Sequence, residues 1–421
     1  MKPWFMRQAA LLAVLLAVAG APVSGTEPTE IDYWDKRLSA ALKARDAQEE
    51  VLCLTTLGRR WGHDLRRQPD WVIRQVAHDA QVARLGEPRA QMLQLLYDLR
   101  WKWNDGSEPS GFWRELSLAL LERSDRSDAF AVAAHITDPY ELVALQADNR
   151  YRAILRSGLV ERNIEKAARR EIDAWQERVR QGPRSLRNVA RLGGALLRLP
   201  RYQEVLSLTD HALARAGPGD AAAYEDVAQE LPQVLAVRAE ALEALGRCED
   251  AIAERRRARE TAKPPAADAA LGLAWQLIRC DRPQEASAAL PAPESLTPRG
   301  LMWIQLIRAA SAAELNDTAA LAVPLDYLRQ RRAEEPGLLL RALLACGQAD
   351  ESARVLVAQL HDPDLRAERL RELQDYAEPP APARVAQWRA LLQALRNRPE
   401  VRAVVADVGT VQRYPLTPAI F

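Results

Sequence analysis

The chain holds 421 residues, enough for two or three domains or for one repeat array. Apolar residues make up 48 %, so there is enough surface to bury against chain entropy, and general disorder is excluded. Lys and Arg number 58 against 57 Asp and Glu, and this balance gives no support for nucleic acid as a partner. Only six of the basic residues are lysine. A GC-rich genome would give that bias, and arginine also suits forked ion pairs between helices.

In chain order, an address comes first. Lys2 and Arg7 stand in a start without acids, Ala9–Ala19 is an unbroken apolar run, and small residues follow to Gly25. This is the pattern of a secretory signal peptide over residues 1–25, cut after Gly25. The run is shorter than the ~20 residues that span a bilayer, and no later stretch approaches that length. The mature chain is therefore expected to be periplasmic or secreted, with no membrane insertion.

Residues 26–184 read as an irregular, Trp-rich helical region. Apolar residues recur at three- and four-residue steps, as at Met92, Leu95, Leu96 and Leu99, the period of an amphipathic helix. Asp70, Ser110, Asp138 and Ser185 each precede such a run as N-caps. Prolines from Pro69 to Pro363 divide the chain into segments one or two helices long, because proline cannot continue a helix. Trp34, Trp61, Trp71, Trp101, Trp103 and Trp113 crowd this region. Most large aromatics at helical spacing belong to cores. Trp101 and Trp103 are two apart, so one of them should point away from the core, which makes this pair the exposed-aromatic candidate.

A repeat emerges over residues 185–396. GRCEDAIAE from Gly246, DRPQEASAA from Asp281, NDTAALAVP from Asn316 and GQADESARV from Gly347 each follow one Ala/Leu-rich helix and open another. Anchored on Val205, Ala251, Ala286, Leu321 and Ser352, the spacings are 46, 35, 35 and 31. A period near 34 marks stacked helical hairpins. The pattern Ala239, Leu242, Leu245, Gly246, Arg247, Ala251, Ala258 and Pro264 resembles the tetratricopeptide repeat, with Ala274, Leu277, Ala286, Leu290 and Pro298 in the next unit. Leu321 and Ser352 replace the alanine expected between paired helices in two of the units. Residues 397–421 read as an irregular segment, a tail or a cap, with Val401–Val411 the best strand candidate.

Cys53, Cys248, Cys280 and Cys346 allow three complete pairings, or all four are small buried hydrophobes at helix ends. In the repeat frame Cys248 lies just after one interhelix turn and Cys280 just before the next, so this is the pair to test. No catalytic or phosphate-binding motif occurs. The adjacent His-Asp pairs face different ways on a helix, and no Cys/His cluster suggests zinc. No metal or other cofactor is expected, and the chain is not expected to be an enzyme.

The expected fold is all-α: an α-solenoid of antiparallel helix hairpins, a superhelix like that of tetratricopeptide repeats, with an irregular N-terminal half. The resemblance implies a non-catalytic scaffold or adaptor binding another protein or peptide on its concave face. The candidate contacts are Gln276, Arg279, Gln305, Arg308 and Arg341, with Trp101 and Trp103. The alternative is an accessory protein that binds cell-wall or exopolysaccharide glycans through the Trp-rich half.

Overall fold

A computed structural model of the chain describes residues 28–65, 68–216, 223–263 and 266–418. The leader expected over residues 1–25, with its expected cut after Gly25, and Pro264 of the repeat pattern lie outside the described residues. Among the described residues the structure is all-α apart from two strands of two residues each, and it divides into two compact units at Asn104–Asp105. That division differs from the boundary expected at 184/185. Tryptophan content is a poor guide to it, because Trp113 and Trp175 are core residues of the second unit.

The first unit contains α1 (Pro28–Ala44), α2 (Ala47–Arg60), the single turn α3 (Gly62–Leu65), α4 (Asp70–Val82) and α5 (Gly86–Asp98). Helix α2 packs on α1, α4 and α5, burying Leu54, Leu57, Ile73 and Leu96. The second unit opens with α6 (Ser110–Glu122), α7 (Arg126–Ala133), α8 (Pro139–Ala147), α9 (Arg152–Ser157) and α10 (Ile164–Gln181). Its array follows as α11 (Leu186–Arg198), α12 (Tyr202–Arg215), α13 (Val227–Ala244), α14 (Cys248–Thr261), α15 (Ala267–Arg279) and α16 (Pro283–Ala289). It continues as α17 (Pro298–Glu314), α18 (Thr318–Gln330), α19 (Pro336–Ala345) and α20 (Ala349–His361). The chain ends in α21 (Arg366–Glu372), β1 (Asp375–Tyr376), α22 (Ala383–Arg396), α23 (Pro399–Val408) and β2 (Arg413–Tyr414).

Two of the four expected caps work as caps: Asp138 accepts from the Tyr140 and Glu141 amides, and Ser185 from that of Asn188. Ser110 and Asp70 are instead the first residues of their helices. Their side-chain oxygens reach outward. Ser110 accepts from the amides of Thr137 and Asp138, and Asp70 from that of Asn104.

The repeat is visible in the backbone. Gly246, Asp281, Asn316 and Gly347 all take a left-handed conformation, φ 55–76°, at spacings of 35, 35 and 31. After each, the next amide donates back to the carbonyl five residues earlier: Arg247 to Leu242, Arg282 to Leu277, Asp317 to Ala312 and Gln348 to Leu343. This is the Schellman closure of a helix C-terminus, and the second helix of each hairpin starts at once. Alternate helices then lie side by side, α11 on α13, α15 on α17 and α17 on α19.

The array does not remain open. Helix α21 packs on α8, the Thr410 amide donates to the Ala147 carbonyl at 2.9 Å, and Asp148 bridges Gly409. The Thr417 amide donates to Arg198, and the Tyr140 hydroxyl to Thr417. The second unit therefore closes its last elements onto its first. Pro399–Val408 is a helix, not the strand expected around Val401–Val411, with Val401, Val405 and Val408 buried at helical spacing. Gly409 is required at the closure, since a Cβ there would stand 2.4 Å from the Ala147 carbonyl oxygen.

Candidate functional site

The face expected to bind a partner is largely covered by the chain itself. Helix α22 lies against α15, α19 and α20. Trp388 of α22 is 1 % exposed and stacks on Trp275 of α15, with ring centroids 5.2 Å apart and planes at 14°. Trp303 of α17 meets the edge of Trp275 at 5.9 Å. At the start of α22, Arg384 forms ion pairs with Glu314 and Asp281. The sequence signal for this seat is Val385, Trp388 and Leu395, apolar residues on one side of α22. Nothing in that spacing names α15 as the surface they meet.

The candidate contact residues have separate fates. Gln276 is 1 % exposed and donates to Glu243, which also holds Arg279 at 2.5 Å. Arg341 lies 3.8 Å from Glu372, and burial, reinforced by Arg369, holds its guanidinium below the ordinary value. Gln305 is half-buried, and Arg308 is exposed on α17. The structure therefore brings Gln276 and Arg279 together through Glu243 and leaves Arg308 open. Cys248 and Cys280 are joined by a disulfide with Cα atoms 5.8 Å apart, which ties the start of α14 to the end of α15.

Elsewhere in the second unit several buried charges are paired. Arg114 pairs with Glu141 at 2.7 Å and donates to the Tyr151 hydroxyl, and Arg371 reaches Glu141 from the closing segment. Arg198 holds Asp138 at 2.6 Å and Glu171 at 3.1 Å. Burial raises the Asp138 carboxyl, but Arg198 wins and holds it below the usual range. Paired in this way, the groups make structural contacts across the closure.

In the first unit the WKWNDG expectation needs correcting. Trp101 is buried, and Trp103 is half-buried, edge-on to Trp101 at 4.6 Å and capped by the Arg74 guanidinium at 3.8 Å. The exposed indole is that of Trp71, 62 % open in the first turn of α4. The sequence reading missed it because it stands inside an apolar-periodic run.

Sequence reasoning also missed a buried acid pair. Glu50 of α2 is fully buried, and neither carboxyl oxygen meets a donor among the described residues. Asp79 of α4 stands beside it, also buried. Burial first, and Asp79 second, push the Glu50 carboxyl up from 4.5 to about 7, against the opposing pull of Arg45.

Among the described residues no three His, Cys, Asp or Glu side chains gather as a metal site, and no helix is long and apolar enough to cross a membrane. The chain matches no known protein family, and no curated protein is detectably similar to it.

Proposed function

We propose that this chain is a non-catalytic interaction scaffold, exported by its first 25 residues to the periplasm or beyond, whose tetratricopeptide-like array takes a helix of a partner protein. One observation carries the reading: the array already takes a helix, α22, on the face formed by α15, α19 and α20, with Trp388 stacked on Trp275. A groove that seats an amphipathic helix through one aromatic anchor and flanking arginine pairs suits helix-in-groove recognition. The chain's own helix then competes with the partner's, at the high effective concentration of a tethered segment. The contact expected at Gln276 and Arg279 becomes part of the wall behind that groove.

The test uses a labelled peptide of residues 383–396. Trp388→Ala weakens the resident helix, so the variant chain should bind the peptide with a Kd on the order of 10 µM, while the intact chain binds at least about tenfold more weakly. Peptide binding to neither chain, with helicity retained in the variant, would refute the reading. Trp71 favours the glycan alternative, being an open indole in the first unit with Tyr33 also 55 % exposed. Loss of retention on immobilised cell-wall glycan in Trp71→Ala, with helicity unchanged, would support that alternative.

A further inference from the structure

Leu315 to Ala320, between α17 and the first turn of α18, are six exposed residues in succession, the longest such run among the described residues. Asn316 takes the left-handed conformation there, at φ 55°. Backbone bonds hold the turn, with the Asn316 amide donating to Ala313 and the Asp317 amide to Ala312. The side chains of Asn316 and Thr318 are held by no hydrogen bond, ion pair or ring contact among the described residues. The segment reads Asn-x-Thr, and no other asparagine of the chain is followed two residues later by Ser or Thr. This is the acceptor pattern for an N-linked sugar, which calls for a surface loop on an exported chain. Glu314, two residues before, gives its acid-led form, Glu-x-Asn-x-Thr. Arg384 of α22 pairs with that acid in the folded chain, but it arrives much later in the sequence.

The surface beside this turn is apolar. Val323 is 74 % exposed and Leu315 44 %, and Ala319, Ala320 and Ala322 are exposed as well. Ala319, Ala320 and Val323 recur at three- and four-residue steps, so they share one side of α18. Val323 stands roughly 10 Å from the turn along the helix, within reach of a short sugar chain. Apolar surface left in water is unfavourable, and a sugar ring has an apolar face to lay on it. Pro324 also weakens this half of α18, because it has no amide to give to the Ala320 carbonyl. The stretch from Thr318 to Val323 is one backbone hydrogen bond short, so it can extend to present Asn316.

We propose that Asn316 is a site of N-glycosylation, with a lipid-pyrophosphate-linked oligosaccharide as the donor. The Asn316 Nδ2 forms a bond to the anomeric carbon of the first sugar, and the bond from that carbon to the pyrophosphate oxygen breaks. The lipid pyrophosphate leaves, and the proton lost by the amide nitrogen goes to a base of the transferring enzyme. Thr318 supplies the hydroxyl by which that enzyme recognises the acceptor. Such transfer takes place across the membrane, so the site rests on the export proposed above. Once attached, the sugar covers Leu315 and Val323. It stands away from the seat of α22 on α15, α19 and α20, and leaves that groove open.

Mass spectrometry of the full chain, isolated from the cells that make it, tests this. The tryptic peptide 309–329 should be heavier by one or more sugar masses, placed on Asn316 by fragmentation, in molecules whose first residue is Thr26. Thr318→Ala should lose the added mass and Thr318→Ser should keep it. Helicity should be unchanged in both, because the Thr318 side chain holds nothing in the fold. Molecules that begin at Thr26 with Asn316 unmodified would overturn the proposal and leave the export reading standing. Molecules that keep residues 1–25, stay inside the cell and carry no sugar would refute both. Sugar retained in Thr318→Ala, or attached elsewhere and not at Asn316, would also overturn the proposal.

Discussion

The first unit and the array of the second make the same turn with different residues. In the array, left-handed backbone falls on Gly246, Asp281, Asn316 and Gly347; in the first unit it falls on Arg45, Arg84 and Arg100. The hydrogen bonds match, with Leu85 donating to Ala80 and Trp101 to Leu96 as Arg247 donates to Leu242. Glycine takes this conformation freely, and Asn and Asp tolerate it, but a long side chain is strained by roughly 1 kcal/mol. The geometry of a tight helix hairpin is thus set by how the helices pack, and the turn residue decides only how much strain the packing must offset.

The two regions also bury charge differently. The array and its closure bury opposites together, as in Arg279 with Glu243 and Arg369 with Glu372, the latter pair 2.5 Å apart and both nearly inaccessible. The first unit buries two acids, Glu50 and Asp79, side by side. Ion pairing compensates a charge at any ordinary pH, whereas a carboxyl pushed to about 7 escapes its burial cost only while protonated.

The largest expected difference between the units lies at the closure. Gly409→Ala would drive a Cβ into the Ala147 carbonyl and the Leu370 side chain. We expect a loss of about 3 kcal/mol or more in urea unfolding, confined to the transition of the second unit. If the first unit falls equally, the two are one cooperative body. Next is the covalent tie that the first unit lacks, where Cys53 is free. Opening Cys248–Cys280, by reduction or Cys280→Ser, releases a crosslink spanning 32 residues. Loop-closure entropy puts the loss at about 3–4 kcal/mol. An unchanged urea midpoint under reductant would show that stacking alone sets the array's stability.

The acid pair gives the first unit a pH dependence. The folded value of Glu50 lies above its unfolded value, so its contribution is complete below pH 4.5 and is lost as pH rises through about 7. Glu50→Gln should leave stability at pH 4 nearly unchanged and raise it at pH 8 by about 3 kcal/mol, because each tenfold change in proton affinity between the unfolded and folded chain is worth about 1.4 kcal/mol. Unfolding curves at the two values check this, and equal effects at both would remove the explanation. The turns give the smallest effect. Arg84→Gly should stabilise the first unit by about 0.5–1 kcal/mol, while Gly246→Ala should cost the array about 1 kcal/mol. The opposite signs, read by thermal unfolding, are the test.

These residues also explain what was legible in the sequence. Gly246 and Gly347 are turn residues that proclaim themselves, and with Asp281 and Asn316 they made the period readable. Arg45, Arg84 and Arg100 do not, so the hairpins of the first unit could not be phased. Helicity was legible throughout because the apolar period is local. The closure was not, because a valine stripe at Val401, Val405 and Val408 states that a face is buried without stating against what. The seat of α22 was hidden for the same reason, and so was the pairing of Glu243 with Gln276 and Arg279. Inner-face candidates could be chosen by repeat position, but whether the chain's own C-terminal helix packs near them depends on contacts more than a hundred residues apart. Trp275 and Trp388 are one such pair.

An open stack of hairpins can assemble from either end, each unit resting on its neighbour. Joining Gly409 and Thr417 to Asp148 and Arg198 forbids that order here, because α8 stays unsealed until the last residues of the chain arrive. The slow step in folding should then be this long-range encounter, later than the growth of the array and sensitive to changes at either end.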